Sequence, residues 1–197
     1  MIRQEGKILV ISGPSGSGKT TLIKNLLKDR KLNKLFTKSI SCTTRPRRSG
    51  ERNGKDYFFV KTAEFKEGLK AKKILEWTEY LGYYYGTPRS FVEAQLKKGK
   101  SVILCLDLKG ALGIKKLYPG KTSTIFILPP SIKELSQRIK QRCNRTKKEE
   151  VSSRVRLARK EVLDSKKYDY RVENKELISA SNRLKDIVLE VLTNART

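Results

Sequence analysis

The sequence predicts an α/β protein in which a parallel sheet is flanked by helices. An apolar strand, Lys7–Ser12, is followed by a glycine-rich loop and then by a predicted helix, Lys19–Asp29, with leucines at helical spacing. Two further runs, Ser101–Leu106 and Thr122–Leu128, are apolar without alternation, as in parallel strands covered on both faces. A helix is predicted before the first of these runs and another after the second, which fits the element order of α/β proteins.

Smaller elements are expected between the first helix and residue 100. They are strands Leu35–Ile40, Tyr57–Val60 and Ile74–Tyr80, and helices Thr62–Ala71 and Thr87–Gly99. Thr62 is predicted to cap its helix, and Pro88 to take the first helical position of the next one. The intervening residues 43–56 are rich in turn formers.

The last third of the chain is predicted to be mainly helical. Its elements are a helix beginning at Ile132 and capped by Ser131, a helix Glu149–Leu163, a strand Tyr168–Val172 and a helix Ser181–Leu192. Residues 132–161 hold eleven Lys or Arg against four Glu. The sequence leaves two explanations open for this basic run: a solvated surface, or a lid that faces phosphate groups.

Length and composition indicate one soluble domain of 197 residues. The chain has no apolar run near the roughly 18 residues of a membrane span, and its first residues have no signal-peptide pattern. We therefore expect a cytoplasmic protein without a membrane partner. The cysteines Cys42, Cys105 and Cys143 lie far apart, as expected for unpaired thiols in a reducing compartment.

The charged composition limits the possible chemistry. The chain has no histidine, which excludes His-based acid–base catalysis and zinc–His sites. Its net charge of +25 predicts anionic partners, either nucleotides or nucleic acid.

The glycine-rich loop matches the phosphate-loop pattern G-x-x-x-x-G-K-[ST] in the required strand–loop–helix context. We expect its backbone N–H groups to bind the phosphates of ATP or GTP, Lys19 to reach the β- and γ-phosphates, and the Thr20 hydroxyl to hold Mg²⁺. The predicted ATP-binding residues are Gly13, Pro14, Ser15, Gly16, Ser17, Gly18, Lys19, Thr20 and Thr21. The phosphate acceptor stays open on this pattern alone.

A second pattern, T-T-R-x-x-R-x-G-E-x-x-G-x-D-Y-x-F over Thr43–Phe59, resembles the guanylate kinase family. The resemblance continues through Ile74–Trp77, Gly82–Thr87, Asp107–Gly110 and Tyr168–Tyr170. It implies a P-loop nucleoside triphosphatase fold with an inserted GMP-binding lobe and a basic lid. The implied division is a core of about residues 1–34, 88–131 and 164–197, a lobe of about 35–87 and a lid of about 132–163.

The same resemblance assigns four side chains to the phosphate of GMP. Arg45 and Arg48 can each grip two phosphate oxygens, and Tyr57 and Tyr85 can each donate a phenolic hydrogen bond. Arg47 and Arg52 fall outside the matching positions, so we expect them to be solvated surface charges.

The base is assigned to Glu76, Ser41 and Thr87 by the resemblance. A carboxylate at position 76 can accept from the adjacent N1–H and N2–H₂ donors of guanine, whereas adenine would set its bare N1 against it. The hydroxyls of Ser41 and Thr87 can serve O6 and the base edge. Without the resemblance, Glu76 would be interpreted as a strand carboxylate facing water.

The sequence departs from the family pattern at one position, Cys105, and in the basic segment. Cys105 stands where the family commonly has a carboxylate near the base, while Asp107, two residues later, is kept and is predicted to act on Mg²⁺ through one of the metal's ligands. Capping of the next turn is the alternative for Asp107. In the basic segment the alignment slips, so Arg138 and Arg154 are favoured for the transferring phosphate over Arg142 and Arg145.

The function implied by the resemblance is phosphorylation of GMP by ATP, with Lys19, Arg45, Arg138 and Arg154 as catalytic residues and Mg²⁺ as cofactor. ATP and GMP are the expected partners, and the protein is expected to be a monomer or a homodimer. Three alternatives remain: a nucleoside monophosphate kinase for another base, a non-catalytic interaction module, and a nucleic-acid-binding protein. The last is disfavoured because no stacking or groove-reading motif is found.

Overall fold

The computed structural model describes residues 6–142 and 148–193 as an α/β fold, in which a mostly parallel sheet is flanked by helices. The strands are β1 (Ile8–Ser12), β2 (Phe36–Lys38), β3 (Cys42–Thr43), β4 (Phe58–Phe59), β5 (Ile74–Tyr80), β6 (Tyr83–Pro88), β7 (Ser101–Leu104), β8 (Thr122–Leu128) and β9 (Tyr170–Glu173). The central sheet has the order β2-β7-β1-β8-β9, and a second sheet has the order β4-β3-β6-β5. The predicted fold class is therefore confirmed.

Eight α-helices are found in the described residues. They are α1 (Lys19–Leu26), α2 (Arg30–Leu35), α3 (Thr62–Lys70), α4 (Arg89–Lys97), α5 (Leu108–Leu117), α6 (Ile132–Arg142), α7 (Lys148–Asp164) and α8 (Leu177–Thr193). No helix in the described ranges is long and apolar enough to span a membrane.

The chain divides into two compact units. The first contains the described chain up to Leu9 and Leu35–Thr122, and the whole second sheet belongs to it. In this unit β2 pairs in parallel with β7, and β5 and β6 form an antiparallel hairpin. The hairpin turn is formed by Leu81 and Gly82, which both have positive φ, as the mirror-image turns of tight hairpins require.

The second unit contains Val10–Lys34 and the described chain from Ser123 onward. Here β8 pairs in parallel with β9, and α1 packs against α8. Helices α6 and α7 share a small apolar core of Leu135, Ile139 and Ala158. This core fixes the helix pair that carries the basic run.

Most predicted elements are confirmed, but three helix starts are wrong, among them that of α8, which begins at Leu177 and not at Ser181. Strands β5 and β8 have the predicted bounds, and Ser131 caps α6 by accepting from the backbone N–H of Glu134 at 3.0 Å. Thr62 is the first residue of α3 rather than its cap, and Lys61 precedes it without a side-chain cap. Thr87 and Pro88 end β6, so that α4 begins only at Arg89.

Candidate active site

The phosphate-loop residues lie in the second unit, between β1 and α1. Gly13 and Gly18 have φ values of 141° and 91°, and Gly18 is the N-cap of α1. A Cβ atom on Gly13 would lie 2.5 Å from the carbonyl oxygen of Ile127. The loop therefore requires glycine for its backbone conformation and for its close approach to β8.

Two polar side chains brace this loop. The ammonium group of Lys19 donates to the carbonyl oxygens of Gly13 and Pro14, at 2.9 Å for Pro14. Asn174, which follows β9 and is 7% exposed, donates from Nδ2 to the carbonyl oxygen of Ser17 at 2.8 Å. A Cβ atom on Gly18 would lie 2.1 Å from the same Nδ2, so Asn174 fills the space that glycine leaves open.

Two of the predicted arginines, Arg138 and Arg154, lie on the basic helices of the second unit. Arg138 on α6 contacts the loop, with its Nη1 atom 3.4 Å from the carbonyl oxygen of Gly16, and it pairs with Glu134 at 3.3 Å. Arg154 on α7 is 5% exposed. The side chain of Arg142 and the whole of Arg145 lie outside the described residues.

The cationic turn lies in the first unit and is organised by Glu51. Arg45 is 7% exposed, and its Nη2 atom donates to both carboxylate oxygens of Glu51, at 2.8 and 3.0 Å. The backbone N–H of Arg48 donates to Glu51 as well, at 2.8 Å. Burial opposes ionisation of Glu51, but the hydrogen bonds from Arg45 and Arg48 outweigh it and lower the pKa of the carboxyl.

Aromatic rings surround the Arg45 guanidinium. Its central carbon lies 5.5 Å from the ring centre of Tyr57 and 5.8 Å from that of Phe59. Tyr57 and Tyr85 make an edge contact with their ring centres 5.9 Å apart. Burial of Tyr57 raises the pKa of its hydroxyl, which stays a neutral donor at physiological pH. Arg45, Tyr57 and Tyr85 are thus brought together as predicted.

The other arginines of the turn have exposed side chains, unlike Arg45. Arg48 has an exposed side chain, although its backbone is fixed by Glu51. Arg47 and Arg52 are also exposed, as predicted.

Glu76 on β5 is a half-buried carboxyl group whose two oxygens have different neighbours. Its Oε1 atom accepts a 2.6 Å hydrogen bond from the buried hydroxyl of Thr87 on β6. Its Oε2 atom points at Gly110 in the first turn of α5. The pKa of Glu76 is raised to about 7. Burial is the main cause and the negative charge of Asp107 adds to it, whereas the hydrogen bond from Thr87 acts in the opposite direction. The alternative for Glu76, a strand carboxylate facing water, is therefore not observed.

Asp107 caps α5 by accepting from the backbone N–H of Gly110 at 2.8 Å. The capping alternative is thus observed for this residue. Ser41 directly precedes β3, and its carbonyl oxygen accepts from the backbone N–H of Phe58 at 2.9 Å. Cys42 and Cys105 are thiols, and burial raises the pKa of Cys42 to about 11; Cys143 lies outside the described residues.

The match to known proteins spans both units. A family model described as guanylate kinase matches residues 5–191. The chain belongs to the guanylate kinase family.

Similar proteins of this family come from several bacteria. The chain is 42% identical over 189 residues to a guanylate kinase of Bacillus cereus, covering 96% of this chain and 90% of that protein. It is 43% identical over 184 residues to a guanylate kinase of Thermotoga maritima, covering 93% and 86%. A crystal structure of guanylate kinase from Anaplasma phagocytophilum matches with a TM-score of 0.76 and 32% identity, covering 95% of this chain and 86% of that one.

Three residues of the site are not predicted from the sequence. Glu51 belongs to the family pattern but has no expected role there, and Asn174 and Gly110 have no expected role in the site. Glu51 is the one acidic residue between Arg45 and Arg52, and this isolated carboxylate among cations is a signal that predicts an internal partner. Asn174 and Gly110 act through backbone contacts, for which the sequence has no comparable signal.

Proposed function

We propose that the protein catalyses transfer of the terminal phosphate of ATP to GMP, giving ADP and GDP. The observation that carries this proposal is the half-buried carboxyl of Glu76, held by Thr87 in the same unit as the Arg45 turn. A half-buried carboxylate that can accept two hydrogen bonds suits guanine, and a cationic turn in the same unit suits a nucleotide phosphate.

The acceptor nucleotide is proposed to bind in the first unit. Arg45 and Arg48 would neutralise the GMP phosphate, with Tyr57 and Tyr85 as hydroxyl donors. Glu76 would accept from N1–H and N2–H₂ of guanine and the Ser41 hydroxyl would donate to the base edge, while Thr87, whose proton is bound to Glu76, could contact the base as an acceptor. The two bonds between Arg45 and Glu51 support this assignment, because they hold the guanidinium in one orientation before GMP arrives.

The donor nucleotide is proposed to bind to the phosphate loop of the second unit. The backbone N–H groups between Gly13 and Thr21, which Pro14 lacks, would bind the phosphates of ATP, and Lys19 would leave the loop carbonyls to contact the β- and γ-phosphates. Arg138, which already touches the loop at Gly16, and Arg154 would offset charge on the transferring group.

The donor set of the chain fits Mg²⁺ as the cofactor. Thr20 lies exposed in the first turn of α1, and the described residues contain no cluster of three metal-binding side chains. Mg²⁺ commonly takes one or two protein oxygens and completes its shell with phosphates and water. Bound in this way, it would neutralise charge on the phosphates of ATP. Asp107 remains the candidate for an indirect metal contact, in addition to its cap.

The reaction needs positioning and charge neutralisation more than proton transfer. The phosphate of GMP is already an anionic nucleophile, so no strong general base is required, and the lack of histidine is no obstacle. Location in the cytoplasm, the division into core, lobe and lid, and a monomeric or homodimeric state stay predictions.

A coupled assay of ADP release tests the proposal with GMP, AMP, CMP and UMP as acceptors. We expect Mg²⁺-dependent turnover with GMP only. Comparable turnover with AMP would favour a kinase for another base. Absence of turnover together with heat of GMP binding in calorimetry would favour the interaction module, and absence of both would reject the proposal.

A further inference from the structure

Gly110 lies directly against the carboxyl group of Glu76. A Cβ atom on Gly110 would lie 2.6 Å from Oε2 and 3.3 Å from Cδ of Glu76, and 3.2 Å from Cβ of Leu106. A real Cβ atom essentially never lies this close to another heavy atom, so a side chain at position 110 would displace the Glu76 carboxyl.

The conformation of α5 does not itself require glycine at position 110. Gly110 is helical and is not one of the glycines with positive φ. Alanine is the better helix former, so glycine here costs helix propensity. The reason for glycine must then be the space that it leaves for Glu76.

The start of α5 is fixed in place by Asp107. Its side chain accepts from the backbone N–H of Gly110 at 2.8 Å. Its backbone carbonyl oxygen accepts from the backbone N–H of Ala111 at 2.9 Å. These bonds fix the local backbone at Gly110, so an added Cβ atom would be accommodated mainly by movement of the Glu76 carboxyl. Thr87 holds the other carboxyl oxygen at 2.6 Å, so the carboxyl is enclosed between β6 and α5.

We infer that Gly110 is a positioning residue for guanine specificity: it lets the capped start of α5 approach Glu76, and so fixes the orientation of the carboxylate that reads the base. This inference rests on the proposed function, because it assigns the geometry of the same base site. Glu76 is the group that touches the base, and Gly110 acts only through it.

The same helix offers a matched control. A Cβ atom added to Gly113, about one turn further along α5, would have no heavy atom of the described chain within 4 Å apart from its neighbours and the helix's own backbone. Gly113→Ala therefore makes the same chemical change and the same gain in helix propensity without touching Glu76.

The test compares Gly110→Ala with Gly113→Ala in steady-state kinetics with GMP and with inosine monophosphate, which lacks the exocyclic amino group. We expect Gly110→Ala to lower kcat/KM for GMP by about 10- to 100-fold, to reduce the preference for GMP over inosine monophosphate, and to leave KM for ATP unchanged. Gly113→Ala should behave like the wild type. Equal behaviour of the two variants would overturn the inference.

A double variant shows whether Gly110 acts through Glu76. In a Glu76→Ala background the contact with the carboxyl is gone and only the milder 3.2 Å contact with Leu106 is left, so Gly110→Ala should cause little further loss of kcat/KM for GMP; a full additional loss would overturn the inference. If Gly110→Ala alone fails to fold, restored folding in the double variant supports the contact, and continued failure contradicts it. Wild-type turnover of GMP is measured first, since its absence would reject the proposed function rather than this role.

Discussion

One terminal nitrogen of Arg45 donates to both carboxylate oxygens of Glu51, at 2.8 and 3.0 Å, while the other donates to the carbonyl oxygen of Pro46 at 2.6 Å. The guanidinium is thereby held by its own turn. Burial opposes the charge of Arg45, but the hydrogen bond to Glu51 and the nearby Tyr85 hydroxyl keep its pKa above the ordinary value. Arg45 thus stays a fixed cation.

Glu51→Gln should weaken GMP binding without affecting ATP. The amide offers Arg45 one acceptor in place of two and removes the negative charge, so we expect KM for GMP to rise by about tenfold. The free energy of unfolding in urea should fall by about 1–3 kcal/mol because Arg45 is buried. Glu79→Gln, an exposed change on β5, is the control. Parallel rises in KM for GMP and ATP would contradict this role.

The raised pKa of Glu76, about 7, predicts that GMP recognition depends on pH. Only the ionised carboxylate accepts both guanine donors, so kcat/KM for GMP should rise with pH through an apparent pKa near that value. The GMP phosphate itself titrates near pH 6, as phosphate monoesters do. Glu76→Gln should therefore lose the upper transition and keep the lower one, and a profile unchanged by this substitution would exclude Glu76 from base binding.

The same pKa predicts a stability effect with a definite sign. Because the folded protein holds the Glu76 proton up to about pH 7 and the unfolded chain releases it near 4.5, the free energy of unfolding should fall as pH rises between these values. Urea titrations of the wild type and Glu76→Gln at several pH values test this. A Glu76 contribution that grows with pH over this interval would contradict the prediction.

Lys19→Met should lower kcat by at least about 10²- to 10³-fold with the fold retained. Methionine keeps the aliphatic stem but loses the ammonium group that donates to the loop carbonyls. Single-turnover kinetics and near-ultraviolet circular dichroism provide the measurements, with Lys24→Met, an exposed change on α1, as the control. Near wild-type turnover in Lys19→Met would refute the phosphate-loop assignment.

Asn174→Asp should affect the ATP side alone. The carboxylate cannot donate to the carbonyl oxygen of Ser17 and faces it at hydrogen-bond distance, so we expect a loss of about 1–3 kcal/mol in unfolding free energy and a higher KM for ATP. The exposed Asn33→Asp on α2 is the charge-matched control. A selective change in KM for GMP would show that the hydrogen bond from Asn174 to Ser17 has another role.

The sequence predicted the core strands well because their signal is local. The unbroken apolar runs of β1 and β8 reflect burial on both faces, and the alternation over Ile74–Tyr80 reflects a sheet with one covered face. Strand β6 was missed because its hairpin turn places Leu81 at φ 52°, a conformation for which leucine gives no signal. Without that turn, Thr87 and Pro88 were assigned to the following helix, although Pro88 pairs with Ile74.

Site residues were predictable where the family pattern specifies a side chain. They were not predictable where a residue's role depends on the position of its backbone. The family resemblance assigned Arg45, Tyr57 and Tyr85 to one phosphate, and their side chains lie together in the structure. The closeness of Gly110 to Glu76 joins residues far apart in sequence, through a helix that was not predicted. A glycine within a helix could not be distinguished from an ordinary surface residue until the opposing carboxyl was located.

The single tryptophan of the chain, Trp77, follows Glu76 on β5, is 39% exposed and has its ring centre 5.2 Å from the ammonium group of Lys109 on α5. Indole emission responds to nearby charge and to water. The protein thus carries its own optical reporter beside the carboxyl proposed to bind the base, and we expect its intrinsic fluorescence to report binding of GMP in real time without any attached dye.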